Sequence, residues 1–218
     1  MAIAPRLTIN QLQQGVRLTQ MNVRVIHRWT RPNLQDKSKI EAIELLLLDA
    51  ENEIIQATIW KQLISYFSSK LAVGSVYNIR NLTVQKNTGL DKATPNSCRL
   101  KFEFSSKVCA TTDTTIPLNG YRFVKFEEII NGRVPTTHYI DVVGKLYEIG
   151  PIVETTKGHK CRTIKLEDIE GCQLCCTLRA PHTSQLPARL SEQPNPEQSK
   201  IIVMQCVETK KYEATTAE

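Results

Sequence analysis

The stretch EIIQATIWKQLISYF, residues 53–67, changes its hydrophobic period in the middle. Ile55, Ala57 and Ile59 alternate with Gln56, Thr58 and Trp60, which predicts a strand with one apolar face and one polar face that ends in an aromatic ring. From Lys61 the apolar residues Ile64, Phe67 and Leu71 recur every three or four positions, which predicts a short amphipathic helix packed on the same core. Trp60 falls on the polar side. Two readings of that ring stand: a lid folded back on the strand end, or a platform on which a flat ligand such as a nucleobase stacks.

The flanking sequence supplies the rest of a barrel. On the N-terminal side, Val16–Trp29 places Val23, Val25 and His27 on one parity and Arg24, Ile26 and Arg28 on the other, as in a long bent strand, and Arg31-Pro32-Asn33 breaks it. The loop Asn33–Ser38 is polar, and Ile40–Leu48 is a strongly apolar second strand closed by Asp49-Ala50-Glu51-Asn52. On the C-terminal side, Val76–Val84 reads as a fourth strand, Lys86–Ser97 as a polar turn with Gly89 and Pro95, and Leu100, Phe102 and Phe104 as part of a fifth. Five strands with a helix between the third and fourth is the order of an OB-fold.

Cys109–Gly120, rich in Thr and carrying Pro117 and Gly120, fits neither period and reads as a connector. The plan then restarts. Val124–Ile130 is a short lead-in, Tyr139–Ile149 a strand, Pro151–Gly158 a loop, Cys161–Leu166 and Cys172–Leu178 a pair of strands, and Ile201–Val207 a fourth. Ala180–Ser199 holds Pro181, Pro187, Pro194 and Pro196 where a helix belongs, and little sequence after Lys211 remains for a fifth strand. The expected fold is mainly all-β: two tandem OB-fold barrels, each a five-stranded Greek-key barrel with a short helix, the second falling short of the plan. The expected domains are residues 1–110 and 121–218, with 111–120 as linker.

Composition narrows the function classes. With 218 residues and 41% hydrophobic content, the chain can bury one large core or two small ones. No run of 18 apolar residues occurs, so no membrane-spanning helix is expected, and MAIAPRLTINQL lacks the charged-then-apolar plan of a secretory signal. Seven cysteines without framework spacing suit reduced thiols. The net charge of +6 is one-sided: residues 1–113 carry 15 Lys and Arg against 9 Asp and Glu, and residues 114–218 carry 13 against 13. A polyanion would be drawn to the first half.

The first half, with VRVIHRWT, ELLLLDAENEIIQATIW and KQLISYF, resembles the first DNA-binding OB domain of the replication protein A large subunit, plant-type members above all. The second half, with RFVKFEEI, YIDVVGKLYEIG and TIKLEDIEGCQLCCTL, resembles the second such domain. The resemblance implies single-stranded DNA as ligand, with RNA left open, other replication protein A-type subunits as candidate partners, a nuclear setting, and roles in replication, repair or recombination. It places a stacking aromatic at the end of the third strand, where Trp60 stands, with Gln56 and Thr58 on the same strand face. It also places a basic and aromatic cluster between the first two strands, matched by Arg28, Trp29, Arg31, Lys37 and Lys39. The turn between the fourth and fifth strands has no aromatic residue, so Lys86, Arg99 and Lys101 are the candidates there. In the second half Arg179 stands where the family has Trp, and Lys157, Lys160 and Arg162 cluster nearby with His159. A guanidinium plane can stack on a base, but a decayed site fits the same residues.

Other chemistry finds little footing. Cys172, Cys175 and Cys176 lack a second pair at zinc spacing, no Cys–His signature suggests a nucleophile, and neither GxxxxGK[ST] nor GxGxxG occurs. No enzyme, metal, cofactor or small-molecule substrate is expected. Lys210-Lys211 is too short to act as an import signal. The competing class is a protein-interaction module, since OB-folds also present strands or grooves to other chains.

Overall fold

The alternating stretches of the first half pair into a ring. In the computed structural model, which describes residues 7–88, 92–192, 195 and 198–210, β1 (Arg17–Leu18) and β2 (Met21–Pro32) form one bent run. They are followed by β3 (Ile40–Leu48), β4 (Ile54–Trp60), α1 (Lys61–Phe67), β5 (Val76–Arg80), β6 (Leu82–Lys86), β7 (Cys98–Lys101) and β8 (Lys107–Ala110). β2, β3 and β4 form an antiparallel meander, β7 joins β4 in parallel and β6 antiparallel, and β6 pairs back onto β1. Because β1 leads on into β2, the row β2-β3-β4-β7-β6-β1 curls back on itself as a barrel, and β5 and β8 extend the sheet from β2. With α1 between the third and fourth strand regions, this is the OB-fold order.

Leu45, Leu47, Ile55, Ala57, Ile59 and Leu100 fill the interior with Leu63, Phe67 and Leu71 from the helix and the residues after it. Three expectations are corrected. A bulge between Val25 and His27 resets the alternation, so Val25 pairs with Leu47 while His27 pairs with Leu46, and the two face opposite ways. The fourth strand is split by Asn81, whose φ of 59° turns the chain between β5 and β6. Phe104 is not on the fifth strand: β7 ends at Lys101, and the turn Glu103–Ser106 leaves Phe104 exposed, whereas Phe102 is fully buried.

Residues 111–120 lie on this first unit, which extends from Met1 to Tyr121. Arg24 donates to the carbonyls of Ile116, Pro117 and Gly74, Asn22 donates to Asp113 at 2.8 Å, and Ile116 is buried. Gly120 approaches the barrel so closely that a Cβ there would sit 2.7 Å from Leu48 Cδ1.

The second unit, Arg122–Glu218, contains α2 (Phe126–Ile130), β9 (Ile140–Glu154), β10 (Lys160–Glu167), β11 (Gln173–Arg179), α3 (His182–Ser191) and β12 (Ile201–Val207). Its sheet runs β11-β10-β9-β12. Among the described residues it has four strands, and residues 211–218, where any fifth would fall, lie outside them, as do Gly89, Pro194 and Pro196. Phe126, Ile140, Val142, Ile164, Leu166, Cys176 and Leu178 make its core. Two expectations change. Pro151–Glu154 continues β9 instead of forming a loop, because a bulge opposite Thr163 absorbs Gly150 and Pro151. The proline-rich stretch does hold a helix: Pro181 is the N-cap of α3, Pro187 lies inside it, and Leu186 packs on the core.

Candidate nucleic-acid interface

Strand register decides which side chains share a face. Trp29 pairs with Glu44, Glu44 with Thr58, and Thr58 with Lys101. Arg31 pairs with Ala42 and Ala42 with Trp60, while Leu46 pairs with Gln56 and Gln56 with Arg99. Paired residues project to the same side, as do residues two apart on one strand. Both tryptophans, Arg31, Arg99 and Lys101 therefore share the face of the barrel wall opposite the core residues Leu45, Ala57 and Leu100.

At the centre of that face is Glu44, only 1% exposed. Its carboxylate meets Arg31 Nη1 at 2.9 Å and Arg99 Nη2 at 3.1 Å, and it accepts from Gln56 Nε2 at 3.1 Å and Thr58 Oγ1 at 2.9 Å. Arg99 also donates to Thr58 Oγ1, and Gln56 Oε1 accepts the Ala93 amide at 3.2 Å. A carboxylate sunk this far is tolerated only when its lone pairs are filled, and taking one partner from such a group costs about 3 kcal/mol or more. Motif and charge patterns do not single Glu44 out as a site residue. One sequence signal does point to it: an acid inside the apolar run Ile40–Leu48 demands cations from elsewhere in the chain.

This network changes the role of several expected site residues. Gln56 and Thr58 are buried, at 2% and 1% exposure, and spend their polar atoms on Glu44, so they are not on an open surface. The bulge turns Arg28 to the core side beside Leu45, away from the tryptophan face, where it donates to the carbonyls of Ser68 and Leu71, both at 2.9 Å, just past the end of α1. Trp29 and Trp60 are both half-buried. Trp29 lies 5.5 Å from the His27 ring, and Arg31 lies over Trp60 with Cζ 4.8 Å from the ring centroid. A cation in that position is held by about 0.5–1 kcal/mol beyond its ion pair.

The cations at the margins are less committed. Lys37 and Lys86 are exposed, Lys39 is exposed and pairs with Asp36 at 3.0 Å, and Lys101 pairs with Glu103 at 3.2 Å. Hydrogen bonds from Ser38, followed by Lys39, hold the Asp36 carboxyl below its usual range. Part of the turn between β6 and β7 folds over the Arg99 end of the face, with Ala93 and Thr94 buried. In the second unit the expected cluster is divided. Arg179 pairs with Cys161 and is exposed, whereas Arg162 pairs with Leu178 on the core side and is half-buried. Lys157 and Lys160 are exposed at the β9–β10 hairpin. Of the cysteines nearby, burial pushes the Cys176 thiol up to about 11 and the Cys206 thiol up to about 12, so both stay protonated at neutral pH.

A closed barrel of this connectivity, followed by a second sheet begun on the same plan, defines an OB-fold protein. The chain belongs to the family described as "Domain of unknown function DUF223", which matches residues 11–132. It is 28% identical over 169 residues to "Replication factor A protein 1" of Schizosaccharomyces pombe (strain 972 / ATCC 24843), an alignment that covers 70% of this chain and 27% of that protein. The structure is similar to a chain of a solved "Replication Protein A Heterotrimer Bound to ssDNA", with a TM-score of 0.59 and 20% identity, covering 93% of this chain and 47% of that one. The chain thus spans about a quarter of the curated relative's length and about half of the solved chain's.

Proposed function

We propose that this chain binds single-stranded DNA through the Trp29–Trp60 face of its first barrel and carries out no reaction of its own. The observation that carries this is the register, which sets two half-exposed tryptophans and three cations on one side of one wall. Rings of that kind hold bases at about 1–3 kcal/mol each by stacking, with little sequence preference, and marginal lysines neutralise phosphates. The similarity to a replication factor A protein and to a solved single-strand complex supports the same ligand. Participation in replication, repair or recombination, a nuclear location, and assembly with other replication protein A-type subunits extend this reading. RNA is a second ligand to be tested, since stacking does not distinguish a 2′-hydroxyl.

A protein-interaction role draws on a different observation. Tyr147, Ile152, Val153, Ile201 and Val203 of the second unit are exposed along β9 and β12. A fluorescence anisotropy titration with labelled oligo-dT at two salt concentrations separates the two. The DNA reading expects binding that weakens as salt rises and weakens further in Trp60→Ala and Trp29→Ala. No binding by the unaltered chain would refute it, and affinity unchanged in both variants would remove the tryptophans from the site.

A further inference from the structure

Trp60 does not stand bare. The Arg31 guanidinium covers one side of the ring and is tied through its Nη1 to the Glu44 carboxylate, whose side chain is itself 2% exposed. We infer that the base contact at this end of the face is the Arg31 guanidinium, backed by Trp60 and positioned by Glu44, rather than the indole itself. The inference rests on the single-stranded DNA reading and specifies how that site holds its ligand.

Two attachments compete for the indole. A base that stacked on the covered side of Trp60 would have to lift Arg31 away, which breaks the ring contact and strips one of four partners from a buried charge. One stacked base returns less than that displacement takes. Arg31 therefore stays, and about a third of its side chain remains open to a ligand. A guanidinium is flat, weakly hydrated and able to sandwich between two π-faces, so its outward plane can take the base while its unused N–H groups meet a phosphate or a base acceptor. Lysine has no such plane. Glu44 touches no ligand in this arrangement. It is a positioning residue, and the same carboxylate fixes Arg99 on the same face.

The sign of one substitution distinguishes this from plain electrostatics. Removal of an acid from a DNA-binding face ordinarily strengthens binding to a polyanion. Here Glu44→Gln is expected to weaken oligo-dT binding about tenfold despite the gain of one positive charge, because Arg31 and Arg99 lose their anchor. Arg31→Lys, which keeps the charge and loses the plane, is expected to weaken it about tenfold with the salt slope unchanged. The full chain and both variants are titrated against labelled oligo-dT at two salt concentrations, with thermal melting recorded for each. Equal or tighter binding by Glu44→Gln would overturn the positioning role; if that variant fails to fold, Arg31→Lys decides alone, and wild-type affinity there overturns the inference. Absence of binding by the unaltered chain would sink the DNA reading and this one together. A measurement without DNA stands beside these: in a Trp29→Phe background, Arg31→Ala should make Trp60 fluorescence more quenchable by acrylamide, and unchanged quenching would show that Arg31 does not cover the ring.

Discussion

The two units begin from the same strand plan and differ, over the described residues, in how far the sheet closes. In the first, β7 pairs with β4 on one side and β6 on the other, and the sheet returns on itself through β1. In the second, the described strands stop at β12, with β11 and β12 at opposite ends of an open row. In the first unit both sides of β4 are buried, including the polar residues Gln56 and Thr58 that serve Glu44. The second unit leaves Tyr147, Val153, Ile201 and Val203 exposed on its strands. The outward face of β4 is covered by the Arg99 side chain and by the turn that carries Ala93 and Thr94, and the ion network is held beneath them.

The largest expected effect tests whether the units are energetically separate. Phe102 is fully buried in the first core, so Phe102→Ala should remove about 3–5 kcal/mol from that unit. In a thermal unfolding experiment its transition should fall while the second unit's stays in place; an equal fall in both would make them one cooperative body.

Alkaline pH should act on the second unit next. Burial raises Cys176 to about 11, with Cys175 a smaller cause, and Cys206 to about 12, with Asp141 a smaller cause. In the unfolded chain these thiols ionise near 9.0, before the folded ones do. The stability they contribute is full below pH 9 and is lost as pH rises from there through about 12, because the unfolded state sheds protons first. Melting curves from about pH 8 to about pH 11 should show the second unit's transition falling, and Cys206→Ala should flatten that fall.

Smaller again is Arg28→Ala, which removes two charged hydrogen bonds to Ser68 and Leu71 and should cost the first unit about 1.5–3 kcal/mol. Oligonucleotide affinity should not move, and a loss of affinity at full stability would return Arg28 to the binding face. The mildest change is Lys37→Glu with Lys39→Glu. For each phosphate that is no longer neutralised, the dependence of log affinity on log salt should flatten by roughly 0.7. An unaltered slope would place both lysines off the DNA path.

Much of the architecture was legible because it depends on local alternation. The second strand, Ile40–Leu48, and the last, Ile201–Val207, keep their expected limits, and the helix begins at Lys61, where the period changes. What escaped depends on partners distant in sequence or on backbone detail. The extra residue in β2 that turns Arg28 inward is visible only against Leu45–Leu47. α3 was hidden because Pro181 and Pro187 read as breakers, although proline suits a helix start and Leu186 secures the rest on the core. At the candidate site, the residue types at Trp29, Arg31 and Trp60 were legible. Their relation to one another was not, because it passes through Glu44, which is 13 residues from Arg31 and 55 from Arg99.

The packing of residues 111–120 bears on where the first barrel can be cut. A fragment trimmed after Ala110 would deprive Arg24 of the Ile116 and Pro117 carbonyls and Asn22 of Asp113. It would also uncover Leu48 and Ile54, which Gly120 approaches so closely that a methyl group there would collide with them. Residues 111–120 thus act as a clasp on the barrel wall.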